Sequence, residues 1–310
     1  MISALLKEID CKVLFNEPLS KHTTFGIGGP AIAIYYPNNV EQLINIIQHY
    51  KEKKIQFYFL GSGSNVLVND NGFKGIVISL RKTFKKFEMI YKSNSIYVQT
   101  GVMLGSMVKN LINNNVEGYE SLIGVPGTVG GAIFMNAGAF GQEISTKLLS
   151  LRTIDQCGTI KEYNKNNLHF SYRKSSIPND EIIIDAVFNY KLGNKESIAI
   201  KKEQSSFTRK ATQPLKFRSA GSIFKNPRNE KAAGYLIDKA GLKGTNKGDA
   251  IISEKHANFI VNLGNATASD VFDLILLAKK KVAEKFNINL ELEIKLIGFS
   301  KDLNKTNYYA

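Results

Sequence analysis

The spacing of apolar residues predicts several amphipathic helices along the chain. In residues 40–50 the apolar side chains fall on one helical face, and Asn39 stands where an N-terminal cap is expected. Apolar side chains also recur every three or four positions in residues 104–113, from Lys195 to about Ala211, and in a long segment that begins at Ser269. Ser269 is the predicted cap of this last helix.

Short apolar runs and alternating segments predict strands between these helices. The runs are residues 55–60 and 181–190, of which the first is expected to be a buried strand, and residues 95–100 also alternate as a strand does. In residues 288–296 apolar and charged side chains alternate strictly, so Glu291, Glu293 and Lys295 are expected on one face of a last strand. No internal repeat is present, and the pattern predicts a mixed α and β fold.

Composition narrows the class of protein. At 310 residues, the chain predicts two or three domains, with one boundary near residue 200. Hydrophobic residues make up 43% and charged residues 22%, which excludes a disordered or fibrous protein. Cys11 and Cys157 have no metal or redox spacing and fit a reducing compartment. Neither a signal peptide nor a membrane-spanning run is apparent, so the expected location is the cytoplasm, without membrane insertion.

The net charge of +14 fits either a nucleic acid partner or small anionic ligands that are drawn in by a positive field. The lysines lie in short scattered runs, and the sequence has no arginine-rich arm, helix-turn-helix signature or stacked-aromatic signature. A compositional drift toward Lys, Asn and Ile is therefore favoured over nucleic-acid binding. No nucleic acid and no obligate protein partner are predicted.

A first glycine-rich loop, Gly61–Asn65, follows the strand predicted at residues 55–60. It lacks the third glycine and the following helix of a dinucleotide fingerprint, because Val66 begins a strand-like run, and it is not a Walker A loop. The loop can be an ordinary tight hairpin, or it can form a nest of N–H groups around a phosphate, with the Ser62 and Ser64 hydroxyls as further donors.

A second glycine-rich stretch, Gly124–Ala139, holds five glycines and Pro126. Glycine loses more entropy on folding than any other residue, so such a cluster indicates close approach of the backbone to a ligand. Two loops of this kind can close over an extended pyrophosphate ligand. A cofactor is therefore predicted.

Other polar residues carry weaker signals. Ser222 is not in a G-x-S-x-G elbow, and the four histidines show no arrangement around a serine, so hydrolase chemistry is disfavoured and a capped turn is the alternative. Arg173 follows an aromatic residue and has the planar fork that suits a carboxylate or phosphate. On general grounds, solvated surface is the favoured interpretation of both Arg173 and the last strand. No His, Asp or Glu spacing supports a metal site.

Seven motifs, in order over nearly the whole chain, resemble the UDP-N-acetylenolpyruvoylglucosamine reductase family, the MurB flavoenzymes of peptidoglycan precursor synthesis. The motifs are T23-T-F-G-I-G-G29, L60-G-S-G-S-N-V-L-V68, the Gly124–Gly141 stretch, Tyr172-Arg173, G-S-I-F-K-N-P from Gly221, S253-E-K-H-A-N-F-I-V-N262 and L290-E-L-E-I-K295.

The resemblance implies an α+β fold in which an FAD-binding region of the PCMH or vanillyl-alcohol-oxidase type precedes a smaller substrate domain. The implied limits are residues 1–200 for the FAD-binding region, in two subdomains of about 1–80 and 81–200, residues 201–300 for the substrate domain, and 301–310 for a tail. It also implies FAD contacts from Gly61, Ser62, Gly63, Ser64, Asn65, Gly124, Pro126, Gly127, Thr128, Gly130, Gly131, Asn136, Ala137 and Gly138.

The same resemblance implies an activity and its catalytic residues. NADPH reduces the flavin, whose N5 passes hydride to the enolpyruvyl ether of UDP-N-acetylglucosamine, giving UDP-N-acetylmuramate. Ser222 matches the proton donor, Arg173 the catalytic arginine and Glu293 the catalytic glutamate. The implied substrate contacts are Tyr172, Lys225 and Asn226.

Three positions depart from the family pattern. Gly26 stands where a basic residue is frequent, Lys295 replaces an arginine, and the short interval between Arg173 and Ser222 matches a subgroup without the tyrosine-bearing substrate lid. Two alternatives remain at this point. One is another flavoenzyme of the same fold that oxidises a sugar or alcohol, and the other is a non-catalytic basic protein that binds RNA.

Overall fold

The structure, a computed structural model, describes residues 10–300. Residues 1–9, where a signal peptide was sought, and the predicted tail at 301–310 lie outside the described residues. Six α-helices occur in the described part: α1 (Val40–Glu52), α2 (Leu104–Asn113), α3 (Val129–Phe134), α4 (Lys195–Thr212), α5 (Ala233–Lys239) and α6 (Ala268–Phe286).

Eighteen strands, most of them short, accompany these helices in residues 10–300. They are β1 (Lys12–Pro18), β2 (Pro30–Tyr36), β3 (Phe57–Phe59), β4 (Val66–Val68), β5 (Phe73–Ile78), β6 (Phe87–Ile90), β7 (Ser95–Gln99), β8 (Gly138–Ala139), β9 (Gln142–Glu143), β10 (Leu148–Ile154), β11 (Ile160–Asn164), β12 (Phe170–Ser171), β13 (Lys174–Ser175), β14 (Ile182–Asn189), β15 (Asn246–Lys247), β16 (Ala250–Ile252), β17 (Ile260–Asn262) and β18 (Lys295–Ile297).

The chain divides into two compact units. Among the described residues, unit 1 comprises 10–15, Ala33–Ser62 and Gly75–Arg209, and unit 2 comprises Asn16–Ile32, Gly63–Lys74 and 210–300. Helix α4 is continuous through residue 200. The domain limits that were predicted from the sequence stay a prediction.

Unit 1 contains two hydrophobic cores. The first lies between the antiparallel sheet β11–β10–β14–β7–β6 and the helices α2 and α3. The second is formed by α1 with apolar side chains of β2, β5 and β14, including the fully buried Tyr35, Ile47 and Ile78. Helix α1 begins at the predicted cap, since the Asn39 side chain accepts a hydrogen bond from the Gln42 amide at 2.9 Å.

Unit 2 is built on α6, which packs against the antiparallel sheet β15–β16–β17 in a single core. Segments from the first quarter of the chain belong to this unit: β4 pairs in parallel with β18 near the C-terminus. Phe25 and Leu67 are fully buried in the same core. The loops that precede these residues are thereby held beside the C-terminal segments.

The cap of α6 differs from the prediction. Thr267, not Ser269, caps the helix, because its hydroxyl accepts from the Asp270 amide at 3.0 Å while the Asp270 carboxylate accepts from the Thr267 amide at 2.9 Å. Ser269 lies in the first turn, where its amide donates to the carboxylate of Asp70 at 3.0 Å. The side chains of Thr267, Asp270 and Asp70 therefore accept hydrogen bonds from amides at the N-terminal end of the helix.

The prediction of a last strand at residues 288–296 is also partly wrong. Only Lys295–Ile297 form a strand, although Leu290 and Ile294 are buried as the alternation predicted. The reason is a change of partner: residues 291–293 bond to residues 223–225, whereas Lys295 donates to the carbonyl of Asn65. The predicted strand at 55–60 shortens to Phe57–Phe59 and is only half-buried.

The other predicted elements are confirmed, and each differs from its predicted bounds by no more than a residue or two. Helix α2 covers the predicted residues 104–113, and α4 extends the predicted helix by one residue to Thr212. Strands β7 and β14 lie within the predicted segments 95–100 and 181–190.

Candidate active site

The two glycine-rich segments meet in unit 1 at Gly61 and Thr128. A Cβ placed on Gly61 would lie 2.7 Å from the Thr128 hydroxyl oxygen, which is too close for any larger residue. The Thr128 hydroxyl in turn accepts a hydrogen bond from the Gly131 amide at 3.4 Å and caps α3. Residues from both predicted cofactor loops are therefore neighbours.

Part of the second glycine stretch is a helix instead of an open loop. Helix α3 occupies residues 129–134, and the amides of Val129 and Gly130 donate to the carbonyls of Val102 and Thr100 at 2.8 and 3.1 Å. A Cβ on Gly130 would overlap the Thr100 hydroxyl. Gly130 is therefore required for packing of α3 on the end of β7, and its N–H is already used.

Several other predicted cofactor residues of unit 1 lie at the two ends of α3. Gly124 and Gly127 precede it with φ of +75° and +134°. After it, Ala137 donates from its amide to the Ala132 carbonyl at 2.7 Å and Gly138 opens β8. Asn136 is fully buried and adopts a φ of +45°.

Arg173 lies in the two-residue turn of the β12–β13 hairpin, also in unit 1. Its guanidinium carbon is 5.0 Å from the ring centroid of the exposed Tyr172, a cation–π distance. The Asn136 side chain donates to the Ser171 carbonyl of the same hairpin at 2.9 Å. The structure thus connects the end of the glycine stretch to the turn that carries Arg173.

In unit 2, the rest of the first loop packs against the T23-T-F-G motif. Gly63 has a φ of +67°, and a Cβ there would overlap the His22 carbonyl oxygen and lie 2.7 Å from the Thr23 Cα. The Gly63 carbonyl accepts from the Thr24 amide at 3.0 Å. Only glycine fits this position, because both the backbone conformation and the contact exclude a side chain.

Asn65 joins this loop to the segment of the predicted catalytic glutamate. Its side-chain amide donates to the Glu293 carbonyl at 3.1 Å, and its own carbonyl accepts from the Lys295 amide at 2.9 Å. Asn65 was predicted to contact FAD. In unit 2 it also fixes the backbone on both sides of Ile294.

Ser222 and Glu293 lie on adjacent backbone segments of unit 2. The Glu293 amide donates to the Ile223 carbonyl at 2.8 Å, and the Lys225 amide donates to the Glu291 carbonyl at 2.8 Å. These bonds form a short antiparallel pairing centred on Phe224 and Leu292. Two of the three predicted catalytic residues are brought together, while Arg173 belongs to unit 1.

The Ser222 hydroxyl is not used to hold the turn. Within residues 10–300 it makes no hydrogen bond, whereas the Ser219 hydroxyl accepts from the Gly221 amide at 3.5 Å. Gly221 has a φ of +77°, and a Cβ added to it would meet no atom within 4 Å. Ser222 itself is half-buried.

The predicted substrate contacts of unit 2 are engaged with protein groups. The Lys225 ammonium is 2.5 Å from a carboxylate oxygen of Glu291. The Asn226 side-chain oxygen accepts from the Ala233 amide at 3.1 Å, at the start of α5. Desolvation and, to a lesser degree, the Lys225 charge lower the pKa of Lys295. A cluster of two lysines and one glutamate therefore lies on the segments that carry Ser222 and Glu293.

Two arginines near the motifs were not predicted as site residues from the sequence. Arg209, on α4, packs its Cδ 3.2 Å from the Cβ position of Gly124, and desolvation lowers the pKa of its guanidinium. In unit 2, the Arg218 side chain covers Gly26, with its Cδ 2.8 Å from the Cβ position. A cation thus stands at position 26 although the residue there is glycine. Neither contact has a local sequence signal, because each joins distant segments.

Two buried asparagines of unit 2 were likewise not singled out. Asn258 bonds to both the amide and the carbonyl of Phe224, at 2.9 and 2.8 Å. Asn262 donates to the Phe25 carbonyl at 3.0 Å and accepts from the Gly264 and Ala266 amides. A signal was present, since both lie in a motif between apolar residues, where a polar side chain needs a bonding partner.

Metal sites and membrane-spanning helices can be considered together for residues 10–300. No group of three or more His, Cys, Asp or Glu side chains in residues 10–300 could hold a metal ion. In the same residues, no helix has both the length and the apolar character required to cross a membrane.

Comparison with known proteins adds to this geometry. Residues 31–164 match the family model of an FAD binding domain, and residues 213–297 match that of the UDP-N-acetylenolpyruvoylglucosamine reductase C-terminal domain. The reductase of Syntrophus aciditrophicus is 42% identical over 92% of each chain. That of Carboxydothermus hydrogenoformans is 41% identical over 95% of this chain and 97% of the relative.

The chain belongs to the UDP-N-acetylenolpyruvoylglucosamine reductase family. The crystal structure of the Thermus caldophilus member, 35% identical, covers 93% of this chain and 98% of that one with a TM-score of 0.78. The predicted family, the α+β fold with an FAD-binding domain and the assignment as an oxidoreductase are confirmed. The roles of individual residues stay predictions.

Proposed function

We propose that this chain is an NADPH-dependent, FAD-containing enzyme that reduces the enolpyruvyl ether of UDP-N-acetylglucosamine to UDP-N-acetylmuramate. Membership of the family supports the reaction. The observation that carries the residue assignment is the Ser222 hydroxyl, which makes no hydrogen bond within residues 10–300 and lies on the segment paired with Glu293.

The residues of the glycine-rich loops fit FAD. Gly63, Gly124 and Gly127 have positive φ, and turns with this conformation leave successive N–H groups on one side, as a phosphate requires. The loops Gly61–Asn65 and Gly124–Thr128 would therefore hold the diphosphate, and Gly131, Ala137 and Gly138 the rest of the cofactor. When bound, FAD takes hydride from NADPH and supplies it to the substrate.

Arg173 and Glu293 would act on the carboxylate side of the substrate. Addition of hydride to the enolpyruvyl group leaves negative charge next to the carboxylate, and a fixed guanidinium neutralises such charge most strongly where water is excluded. A protonated Glu293 would donate a hydrogen bond to the same group. An ionised Glu293 would oppose the reaction unless a cation lay beside it.

Ser222 would deliver the proton that completes the reduction. A serine is a weak acid, but an enolate is basic enough that positioning of the hydroxyl matters more than its acidity. Because no hydrogen bond within residues 10–300 holds the hydroxyl, it can turn toward the substrate without loss of an existing hydrogen bond. Lys225 and Asn226 would bind the diphosphate of the UDP-sugar substrate. This requires Lys225 to exchange its contact with Glu291 for a contact with a phosphate oxygen.

Separate measurement of the two half-reactions tests this assignment. In Ser222→Ala, reduction of the flavin by NADPH should be nearly unchanged, whereas reoxidation by the enolpyruvyl substrate should slow by roughly 10²–10⁴-fold, the usual range for a lost general acid. Ser222→Cys, which restores a donor, should recover part of the rate.

Ser219→Ala is the matched control, because Ser219 lies on the same turn and already serves a backbone amide. It should leave both half-reactions intact. Equal slowing of both steps in Ser222→Ala, or slowing of neither, would contradict the proton-donor role. Turnover that depends on oxygen instead of NADPH would favour an oxidase of the same fold.

A further inference from the structure

The turn that carries Arg173 has a strained backbone. Ser171 pairs with Lys174 across a two-residue turn, and Arg173 adopts a φ of +55° there. The left-handed conformation costs an ordinary L-residue roughly 1–2 kcal/mol. Such a conformation persists only where surrounding contacts fix it. The residues that hold the hairpin therefore determine where the guanidinium lies.

Asn136 makes the central contact to this hairpin. Its side-chain Nδ2 donates to the Ser171 carbonyl at 2.9 Å and to a carboxylate oxygen of Glu143 at 2.7 Å. Both neighbours are acceptors, so the amide nitrogen must face them and the orientation of the side chain is fixed. Its Oδ1 is buried and has no hydrogen-bond partner among the described residues.

A second contact ties the other strand of the hairpin to the same place. The Ser175 hydroxyl donates to the Phe134 carbonyl at 2.7 Å. Both strands are thus anchored to residues 134–136, at the C-terminal end of α3. The N-terminal end of this helix is Thr128, which lies against Gly61.

The Asn136 side chain is too deeply buried to contact a cofactor directly. The side chain is 0% exposed, so a cofactor cannot touch it while this conformation is kept. We propose that Asn136 is a positioning residue for Arg173, which acts through the Ser171 carbonyl to fix the turn from which the guanidinium extends. This replaces the direct FAD contact that was predicted for Asn136, and it rests on the proposed role of Arg173.

The double variant Asn136→Asp with Glu143→Gln separates positioning from simple stability. An aspartate at position 136 keeps the size of the side chain but cannot donate at neutral pH, and alone it would face the Glu143 carboxylate. With a glutamine at position 143 as donor, the contact between positions 136 and 143 is restored, whereas the Ser171 carbonyl remains without its donor. A purely structural role would therefore be rescued, and a positioning role would not.

We expect the double variant to keep its flavin content and its rate of flavin reduction by NADPH. Reoxidation by the enolpyruvyl substrate should slow by roughly 10–100-fold, the scale of a small misplacement of a reacting group. As the pH is lowered through the pKa of the introduced aspartate, the protonated acid can donate to Ser171. The ratio of the variant's rate to that of the parent should then rise.

The effect should also depend on Arg173. In an Arg173→Ala background, adding the double substitution should cause no further slowing, because the group that it positions is absent. Independent, multiplicative slowing would overturn the inference, and so would parental reoxidation in the double variant near pH 8. Should the double variant not fold, Asn136→Gly removes both contacts of the side chain while glycine adopts the φ without strain, and it should slow reoxidation but not flavin reduction. Equal slowing of both half-reactions in that variant would overturn the inference.

Two comparisons complete the design. Asn115→Asp is the matched control, because Asn115 is exposed and has a similar φ of +56°, and it should leave both half-reactions unchanged. Normal reoxidation in Arg173→Ala alone would refute the proposed role of Arg173. Slow reoxidation in Arg173→Ala together with normal rates in the Asn136 variants would refute only the positioning inference.

Discussion

Asn258 offers a direct test of how the segment that carries Ser222 is held. In the antiparallel pairing of residues 223–225 with 291–293, the bonds are made by Ile223 and Lys225, so the N–H and carbonyl of Phe224 face the other way. Asn258 bonds to both groups, at 2.9 and 2.8 Å. Its amide thereby takes the place of a neighbouring strand, and the Asn258 side chain is only 3% exposed.

Replacement of Asn258 by Ala should be strongly destabilising. It would leave one buried donor and one buried acceptor of Phe224 unsatisfied, and each such group costs about 1–3 kcal/mol. The expected loss is therefore about 2–6 kcal/mol, with the low end reached if water enters the space. The whole free energy of unfolding of a domain is about 5–15 kcal/mol, so the expected loss of stability is large by comparison. The exposed Asn246, whose contact with the Gly248 carbonyl is 3.4 Å, provides a control expected within about 0.5 kcal/mol.

Asn258→Asp tests the direction in which stability changes with pH, as well as the size of the loss. The carboxylate can still accept from the Phe224 amide, but it opposes the Phe224 carbonyl, so the folded state raises the pKa of the introduced acid. Stability should then be greatest below the unfolded value of about 3.9 and fall as the pH rises toward the folded pKa, the reverse of an ordinary paired carboxylate. Urea denaturation of the flavin-saturated variants at several pH values measures this. A loss no larger than that of Asn246→Ala, or no recovery in acid relative to the parent, would refute the argument.

Three further predictions follow from other residues. Arg173→Lys keeps the charge but loses the planar fork, so substrate-dependent flavin reoxidation should fall substantially, and near-normal turnover would reduce Arg173 to a general electrostatic role. Gly63→Val should lose bound flavin, measured by absorbance, while Gly105→Ala, on α2 with no atom within 4 Å, should keep it and gain up to about 1 kcal/mol; full flavin in Gly63→Val would contradict the loop assignment. Desolvation lowers the pKa of His256, so its contribution to stability is complete above about pH 6.5 and is lost as the pH falls toward the folded value; His256→Gln should remove this acid sensitivity in urea denaturation, and an unchanged pH dependence would contradict it.

Four of the six helices in residues 10–300, namely α1, α2, α4 and α6, could be predicted from the sequence because the spacing that specifies them is local. The limits of α2 and the Asn39 cap of α1 agree with the prediction, since both depend on residues within one or two turns. The cap of α6 was harder, because Thr267 and Ser269 are both suitable and Asp270 decides between them through a reciprocal bond. The helix Lys195–Thr212 was likewise predicted from local spacing alone, to within one residue of its end.

The last strand and the candidate site depended on pairings that sequence order does not reveal. The alternation of residues 288–296 put Leu290 and Ile294 on one face, and both are buried, but it could not show that the segment changes partner between Glu293 and Lys295. Ser222 and Glu293 are neighbours only because of that pairing. The motifs identified the residues, whereas tertiary structure supplies their proximity within unit 2.

Four asparagines, one half-buried and three buried, suggest why polar residues that do no chemistry are needed in these motifs. Asn65, Asn136, Asn258 and Asn262 all donate their side-chain amides to backbone carbonyls of segments that carry predicted site residues or lie next to them. An amide both donates and accepts without charge, so it can satisfy irregular backbone where no strand can lie. Asp lacks the donor, and Ser is too short to replace an amide that reaches two separate partners. Glycine frees the backbone of these loops to approach a ligand, and asparagine fixes the conformation that this freedom would otherwise leave open.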